Sequence, residues 1–202
     1  MSIATLPLAL TPISLAKWDE SYAQREDAYE LVDGIPTVAP NETFGNVDAT
    51  TRLIVKLDPV IKEEWRPLPH FAVRLGGYGG NATIRQPDLT VVRRGLPANP
   101  HRAEPSDVAL VVEVISPDSL ERDAITKRAE YARAGIPAYL LVDVRGPRPT
   151  VVLFDRIVDG AYATPDTDGT AVTLRIGDHT IPLLATDLVD PGTADVPTTP
   201  PE

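Results

Sequence analysis

Residues 108–115 constrain this chain more than any other stretch, because they form an apolar run that only Glu113 interrupts. The run is rich in β-branched residues and lacks an alternation of polar and apolar side chains, which is typical of a strand buried on both faces. A carboxylate inside such a strand is costly unless something pairs with it. Glu113 is therefore either a structural residue satisfied by an arginine or by backbone donors, or a metal ligand or acid–base group.

A helix is predicted directly after this strand, from about residue 119 to Gly135. Within it, Asp123, Lys127 and Tyr131 recur every four residues and therefore share one face. From that face Lys127 can point back toward the end of the strand, although spacing alone favours an exposed lysine paired with Asp123 or Tyr131. A separate apolar stripe is predicted to pack the helix: Ile125, Ala129, Ala132 and Ile136.

A second buried strand is predicted at residues 84–92, where Asp88 follows Pro87 and precedes an apolar run. Two strands that each offer one carboxylate suit a hard cation such as Mg²⁺, which takes oxygen ligands. Such a cation lowers the pKa of a bound water and stabilises charge on a phosphoryl oxygen, and a nearby lysine adds a positive charge. Asp88, Glu113 and Lys127 are thus residue types suited to metal-assisted phosphoester hydrolysis.

The order of these motifs resembles the PD-(D/E)XK nuclease superfamily and, more closely, the bacterial Uma-two family of restriction-endonuclease-like proteins. No single motif is specific, but their order and spacing together are. The stretches that carry the resemblance span most of residues 29–160: YELVDG at 29–34, RQPDLTVV at 85–92, LVVEVISPDS at 110–119, DAITKRAEYARAGIPAYLLVD at 123–143, and DG at 159–160.

The resemblance implies an α/β restriction-endonuclease-like fold, in which helices flank a central mixed β-sheet. It implies Asp88 and Glu113 as metal ligands, Mg²⁺ as the metal with Mn²⁺ as a substitute, and Lys127 as a catalytic lysine moved from the strand to the following helix. Glu30 matches an early acidic residue of the family and is given a catalytic role on that basis. From its own context, a solvated strand residue is an equal alternative for Glu30.

Besides Leu140, which follows Tyr139 where the family commonly has a Tyr-Trp pair, two positions depart from the pattern of these families. Ile115 stands where the superfamily usually has its lysine, which is normal for this branch. Asn46 stands where the family often has a histidine, near the start of the second predicted helix. The second departure favours a protein without activity.

Composition narrows the class of protein. The chain has 202 residues and no cysteine, so disulfide frameworks and thiolate chemistry are excluded. The net charge of −10 argues against avid nonspecific binding of nucleic acid. Residues 66–148 nevertheless hold 12 basic and 9 acidic residues, so a basic cleft on an acidic protein is allowed. The three histidines, His70, His101 and His179, have no metal-ligand spacing and are interpreted as structural or surface residues.

We expect an extended leader at residues 1–13, a single nuclease-like domain at 14–189 and a disordered tail at 190–202. The sequence predicts neither a signal peptide nor a membrane-spanning segment, so a cytoplasmic protein is expected. The remaining predicted elements are helices at 15–27 and from residue 41 or 43 to about 61, a hairpin around Asp33-Gly34, a strand at 65–75, strands at 139–144 and 150–154, and a hairpin at 171–183.

The function that we expect is that of a Mg²⁺-dependent endonuclease that hydrolyses the phosphodiester bonds of DNA and acts as a homodimer. One alternative is a catalytically silent nuclease-fold protein that binds nucleic acid or a protein partner. Another is a metal-dependent enzyme that acts on a smaller phosphoester. The acidic net charge and Asn46 favour the silent protein, whereas the complete set of Asp88, Glu113 and Lys127 favours an enzyme.

Overall fold

The computed structural model describes residues 11–21, 29–38, 42–77, 81–97, 101–116 and 122–190. The predicted leader and tail lie almost wholly outside the described residues, as do the residues expected to begin the helix after the buried strand. Ile13 belongs to the described part, and its N–H donates to the carbonyl of Gly34 at 2.8 Å.

The elements follow one another in this order: α1 (Leu15–Ser21), β1 (Tyr29–Val32), β2 (Ile35–Val38), α2 (Phe44–Ile61), β3 (Trp65–Pro69), β4 (Val73–Gly76), β5 (Ala82–Arg85), β6 (Leu89–Arg93), a 3₁₀ turn (Pro105–Asp107), β7 (Val108–Val114), a π-helix (Arg122–Lys127), α3 (Arg128–Arg133), β8 (Tyr139–Asp143), β9 (Thr150–Phe154), β10 (Ile157–Val158), β11 (Ala161–Tyr162), β12 (Ala171–Ile176), β13 (His179–Leu184) and a second 3₁₀ turn (Ala185–Leu188).

A five-stranded mixed sheet forms the centre of the fold, in the order β3-β6-β7-β8-β9. β7 and β8 are parallel, and the other neighbours are antiparallel. All residues of β7 are buried, as its apolar sequence predicted. β3 is an edge strand, which accommodates Pro67 and Pro69 because an edge needs fewer backbone donors. The predicted α/β fold with a central mixed sheet is confirmed.

A second, four-stranded antiparallel sheet has the order β2-β1-β5-β4. Its β1–β2 hairpin turns at Asp33 and Gly34, whose φ angles of +48° and +83° suit the tight turn that the sequence predicted. Two predicted strands were wrong in extent, because residues 65–75 and 84–92 each divide between the two sheets. His70, with a φ of +51°, separates β3 from β4. Pro87 lies in the break between β5 and β6, where it has no N–H to offer a ladder.

Successive residues of β7 face two different apolar cores. Leu110 and Val112 belong to the core that α2 and the β12–β13 hairpin cover. Val111 and Ile115 belong to the opposite core, which also contains Tyr131 of α3. Glu113 lies between Val111 and Ile115 in this alternation and therefore faces the side of the sheet on which α3 packs.

The helices differ from prediction in their phase. In α2, the spacing of Val47, Thr50, Ile54, Leu57 and Ile61 predicts one apolar stripe. Thr50, Leu57 and Ile61 are buried, but Val47 is 49% exposed and Asn46 is buried instead. The prolyl residue at position 59 does not end α2, which continues to Ile61. No helix in the described ranges is long and apolar enough to cross a membrane.

The predicted helix after β7 was wrong in its first half, since Arg122–Lys127 is π-helical and α-helix begins only at Arg128. A π-helix bonds i to i+5 and so shifts the stripe expected from a period of 3.6. Ile125, predicted to be apolar packing, is accordingly 58% exposed. The end of α3 is as predicted: Gly135 has a φ of +77°, and its N–H donates to Ala132 O at 3.0 Å.

Candidate functional site

The predicted site residues meet where the two sheets join. In the β6–β7 pair Leu89 lies opposite Val112, so one step further along this register Asp88 lies opposite Glu113. Asp88 Oδ2 accepts the N–H of Val114 at 2.5 Å, which fixes the carboxylate against the end of β7. The structure therefore brings together the two carboxylates that the sequence singled out, although they lie 25 positions apart in the chain.

Asp88 is 7% exposed, and its ionised form is disfavoured. Burial is the largest cause that raises its pKa well above the ordinary value for aspartate, and the negative charges of Glu113 and Glu42 add to it. The Val114 N–H and the Lys127 charge oppose this rise without cancelling it. A cation bound nearby would stabilise the ionised form of such a carboxylate.

Lys127 is buried at the site and not exposed as its spacing had favoured. Its Nζ lies 2.9 Å from Glu113 Oε1 and 3.5 Å from Glu30 Oε1. Tyr131 Oη donates to the same Glu113 oxygen at 2.5 Å. The prediction that Lys127 can reach Glu113 is thus correct, and the expected pairing of Lys127 with Tyr131 is replaced by contacts of both residues with Glu113.

Glu30 is 4% exposed, which rules out the solvated strand position considered from the sequence. Its Oε2 accepts a hydrogen bond from Arg85 Nη1 at 2.7 Å, and its Oε1 accepts the N–H of Gln86 at 3.1 Å. Burial acts to raise the pKa of Glu30, but the charges of Lys127 and Arg85 outweigh it and leave the pKa lowered. Glu30 is therefore held as an anion beside Lys127.

Arg85 and Glu130 are parts of this network that the sequence interpretation missed. Arg85 donates from Nε and Nη2 to the two oxygens of Glu130 at 2.7 and 2.8 Å, a bidentate pair with both side chains buried. Glu130 follows Lys127 by three positions and therefore shares its helical face, which is a signal that could have indicated it. No local pattern could have paired Glu130 with Arg85 on β5.

Asn46 connects the first turn of α2 to the same strand end. Its Nδ2 donates to Val114 O at 2.9 Å, and its Oδ1 accepts the hydroxyl of the N-cap residue Thr43 at 2.7 Å. The backbone of Val114 thus contacts Asn46 through its carbonyl and Asp88 through its N–H. The position that departs from the family pattern has a structural contact with the site.

His70 and Glu42 also lie beside Asp88. A ring nitrogen of His70, a carboxylate oxygen of Glu42 and a carboxylate oxygen of Asp88 lie within 4.8 Å of one another. The interpretation of His70 as a structural or surface residue missed this proximity, because the turn after β3 and the start of β6 meet only in the folded chain.

The donor set fits a divalent cation. Asp88 and Glu113 offer carboxylate oxygens at adjoining strand ends, and burial together with the charges of Glu113 and Glu42 raises the pKa of Asp88, so a cation bound there would stabilise its ionised form. Lys127 supplies a fixed positive charge next to Glu113, within reach of a phosphate at the same place. The arrangement can therefore hold a cation and orient a phosphoester beside it.

Comparisons with known proteins identify the family and the fold. The model of the Uma2 (Uma-two) family, described as "Putative restriction endonuclease", matches residues 15–181. A crystal structure of "a putative nuclease" from Anabaena variabilis superposes with a TM-score of 0.60 and 15% sequence identity, covering 88% of this chain and 97% of that chain. At this identity the likeness concerns the fold. No curated protein matches the chain in sequence.

Proposed function

The chain belongs to the Uma2 family, and from that premise we propose that it is a Mg²⁺-dependent endonuclease that hydrolyses the phosphodiester bonds of DNA. The observation that carries this proposal is the placement of Asp88 next to Glu113 at the ends of two buried strands, with Lys127 Nζ 2.9 Å from Glu113. Three ionisable side chains are buried together there at considerable cost in desolvation. Such groups, with shifted pKa values, cluster at functional sites.

In this proposal Asp88 and Glu113 hold the metal, which is Mg²⁺ with Mn²⁺ as a substitute. Bound there, the cation supplies an activated water and offsets charge on the phosphoryl oxygens. Lys127 places its ammonium where negative charge develops on the phosphate or on the attacking water. Tyr131 orients Glu113 through its hydroxyl, and Glu30 holds Lys127 in position from the opposite side.

The remaining parts of the proposal concern the substrate, the oligomeric state and the location in the cell. DNA is the substrate, the protein acts as a homodimer, and it works in the cytoplasm. The family description supports a nucleic acid substrate. A homodimer is proposed because two centres are needed to cut both strands of a duplex.

The alternative is a silent nuclease-fold protein that binds nucleic acid or a protein partner. Asn46 in place of the family's histidine favours this alternative. Arg85 bears against it, because an arginine that had replaced the metal would lie against the metal-binding carboxylates. Arg85 instead pairs with Glu30 and Glu130.

A plasmid cleavage assay at low salt tests the proposal. The protein is incubated with supercoiled DNA and Mg²⁺, Mn²⁺ or EDTA, next to Asp88→Asn and Glu113→Gln. We expect nicked or linear product with either metal, none in EDTA and none with either variant. Binding is measured in parallel with Ca²⁺. Binding without cleavage by the wild-type protein would support the silent alternative.

A further inference from the structure

The carboxylate of Asp88 has neighbours other than Glu113. His70 and Glu42 bring a ring nitrogen and a carboxylate oxygen to within 4.8 Å of an Asp88 oxygen and of each other. The three residues come from the turn after β3, from the segment before α2 and from the start of β6. Two ligand atoms about 2.1 Å from one cation lie at most about 4.2 Å apart. A small inward movement would therefore let all three atoms reach the same ion.

The backbone holds His70 at this place. Its φ of +51° is a conformation that few side chains other than Asn, Asp and His adopt. The N–H of His70 donates to Asp88 O at 3.3 Å, and Gln86 Nε2 donates to His70 O at 2.7 Å. Both hydrogen bonds fix the backbone of His70 beside residues 86–88, and its ring nitrogen lies within 4.8 Å of an Asp88 oxygen.

The side chain of Asp88 is not fully satisfied by the described protein. It is 7% exposed, and the Val114 N–H binds Oδ2. No hydrogen bond from the described residues reaches its other carboxylate oxygen. Glu113 and Glu42 both add negative charge around it. A largely buried carboxylate with two anionic neighbours is stabilised by a cation at its accessible side.

We propose that His70 and Glu42 complete the ligand set of the divalent cation held by Asp88, so that the metal has one imidazole nitrogen among its ligands. This inference rests on the proposed function, because the cation is the one assigned to Asp88 and Glu113. Both added residues are exposed. They would therefore bind the cation from its solvent side, and the site would stay accessible to water.

An imidazole ligand changes which metal is favoured. Mg²⁺ prefers oxygen ligands and bound water, whereas Mn²⁺ and the later divalent metals accept imidazole nitrogen more readily. The site should therefore bind Mn²⁺ more tightly than Mg²⁺, and the difference should depend on His70. A site of Asp88 and Glu113 alone would have no nitrogen ligand.

Pulsed electron paramagnetic resonance of the Mn²⁺-loaded full chain, without DNA, tests the inference by detecting ¹⁴N coupled to the metal. The test variant is His70→Asn, because asparagine tolerates the positive φ but brings no imidazole. The matched control is His101→Asn, which changes another exposed histidine. Calorimetric titration with Mn²⁺ and Mg²⁺ accompanies each sample.

We expect a ¹⁴N signal in the wild type and in His101→Asn, and none in His70→Asn. His70→Asn should weaken Mn²⁺ binding by at least about tenfold, because loss of even an outer-shell partner costs about 10–100-fold, and it should weaken Mg²⁺ binding less. Glu42→Gln should weaken the binding of both metals.

Two other outcomes overturn the inference in distinguishable ways. The first outcome is that the wild type binds Mn²⁺ without a ¹⁴N signal, and that His70→Asn binds Mn²⁺ with the wild-type affinity. His70 is then not a ligand, while the nuclease proposal stands. If the wild type binds no Mn²⁺, or Asp88→Asn binds it equally well, the metal site of the nuclease proposal fails as well.

Discussion

Asp88 carries a charge that the folded protein disfavours in the absence of a cation. Burial, together with Glu113 and Glu42, raises its pKa above the value of about 3.9 expected in the unfolded chain. Below the unfolded pKa both states are protonated, and Asp88 costs nothing. As pH rises from the unfolded pKa to the raised folded pKa, the unfolded chain ionises first, so stability falls until the buried carboxyl ionises as well.

We therefore predict that Asp88→Asn raises the Tm of the metal-free protein by several degrees at pH 7–8. Asparagine keeps an oxygen for the Val114 N–H and removes the repulsion from Glu113. The gain should shrink as pH falls toward 4, because the wild-type carboxyl is then protonated too. Thermal scans from pH 4 to 8 in EDTA measure this. A lower Tm for the variant at pH 8 would contradict the assignment of an uncompensated charge.

Substitution of Lys127 distinguishes the enzyme proposal from the silent, binding-only alternative. Its ammonium contacts Glu113 and Glu30 and is not a metal ligand. Lys127→Ala should therefore keep Ca²⁺-supported DNA binding nearly unchanged and lower the cleavage rate by about 10²–10³-fold, the scale seen on losing one preorganised donor. Lys127→Arg should rescue poorly, because a planar guanidinium does not replace a compact ammonium.

The measurement for Lys127 is single-turnover cleavage with Mn²⁺, run well below the Tm of each variant. Removal of Lys127 leaves Glu113 and Glu30 without a shared cation, so stability must be measured beside activity. Cleavage by the alanine variant at the wild-type rate would show that Lys127 has a structural role only.

At the scale of elements, buried Arg85 ties the four-stranded sheet to α3. It joins β5 to Glu30 of β1 and to Glu130 of α3. Truncation removes the bidentate partner of buried Glu130 and one of the partners of buried Glu30. Arg85→Ala should therefore cost about 3–5 kcal/mol of unfolding free energy. The control, Arg74→Ala on β4, loses only a pair with Glu104 in which both side chains are about half exposed, and should cost less than about 1 kcal/mol.

Urea denaturation of Arg85→Ala and Arg74→Ala at neutral pH supplies the comparison. Equal midpoints for the two variants would mean that the buried network does not stabilise the fold. If the buried ion pairs stabilise the fold, the unfolding free energy falls in Arg85→Ala and stays nearly unchanged in Arg74→Ala.

The sequence was sufficient for elements whose signals are local. β7 follows from an unbroken apolar run, and the β1–β2 turn follows from Asp33-Gly34. Asp88 and Glu113 could be identified from the sequence as candidate site residues, because each lies near the end of an apolar run. The burial of Lys127 could not be predicted from the sequence, because Lys127 lies in a π-helical turn. The α-helical period of 3.6 residues per turn does not anticipate such a turn.

Other parts of the site depend on contacts between distant segments. Arg85 meets Glu130 across 45 positions, and His70 reaches Asp88 only because residues 65–75 divide between two sheets at a left-handed turn. No pattern within either segment specifies these meetings. Tertiary packing decides them.

At the scale of the whole molecule, the net charge of −10 opposes capture of DNA by surface charge alone. Contacts at the site and a second subunit would then contribute more to binding. We predict a homodimer, because two centres related by a twofold axis can cut both strands of a duplex. Sedimentation velocity at micromolar concentration checks this. A monomer both with and without DNA would contradict the dimer and leave nicking or single-strand cleavage as the activity.

Calorimetric titration of the metal-free protein with Mn²⁺, for the wild type, Asp88→Asn and Glu113→Gln, tests the central assignment most directly. The account predicts one site per chain in the wild type and no measurable binding in either variant, with the circular dichroism of both variants unchanged. Wild-type affinity in both variants would contradict it, because the cation would then bind without the two carboxylates at the junction of the sheets.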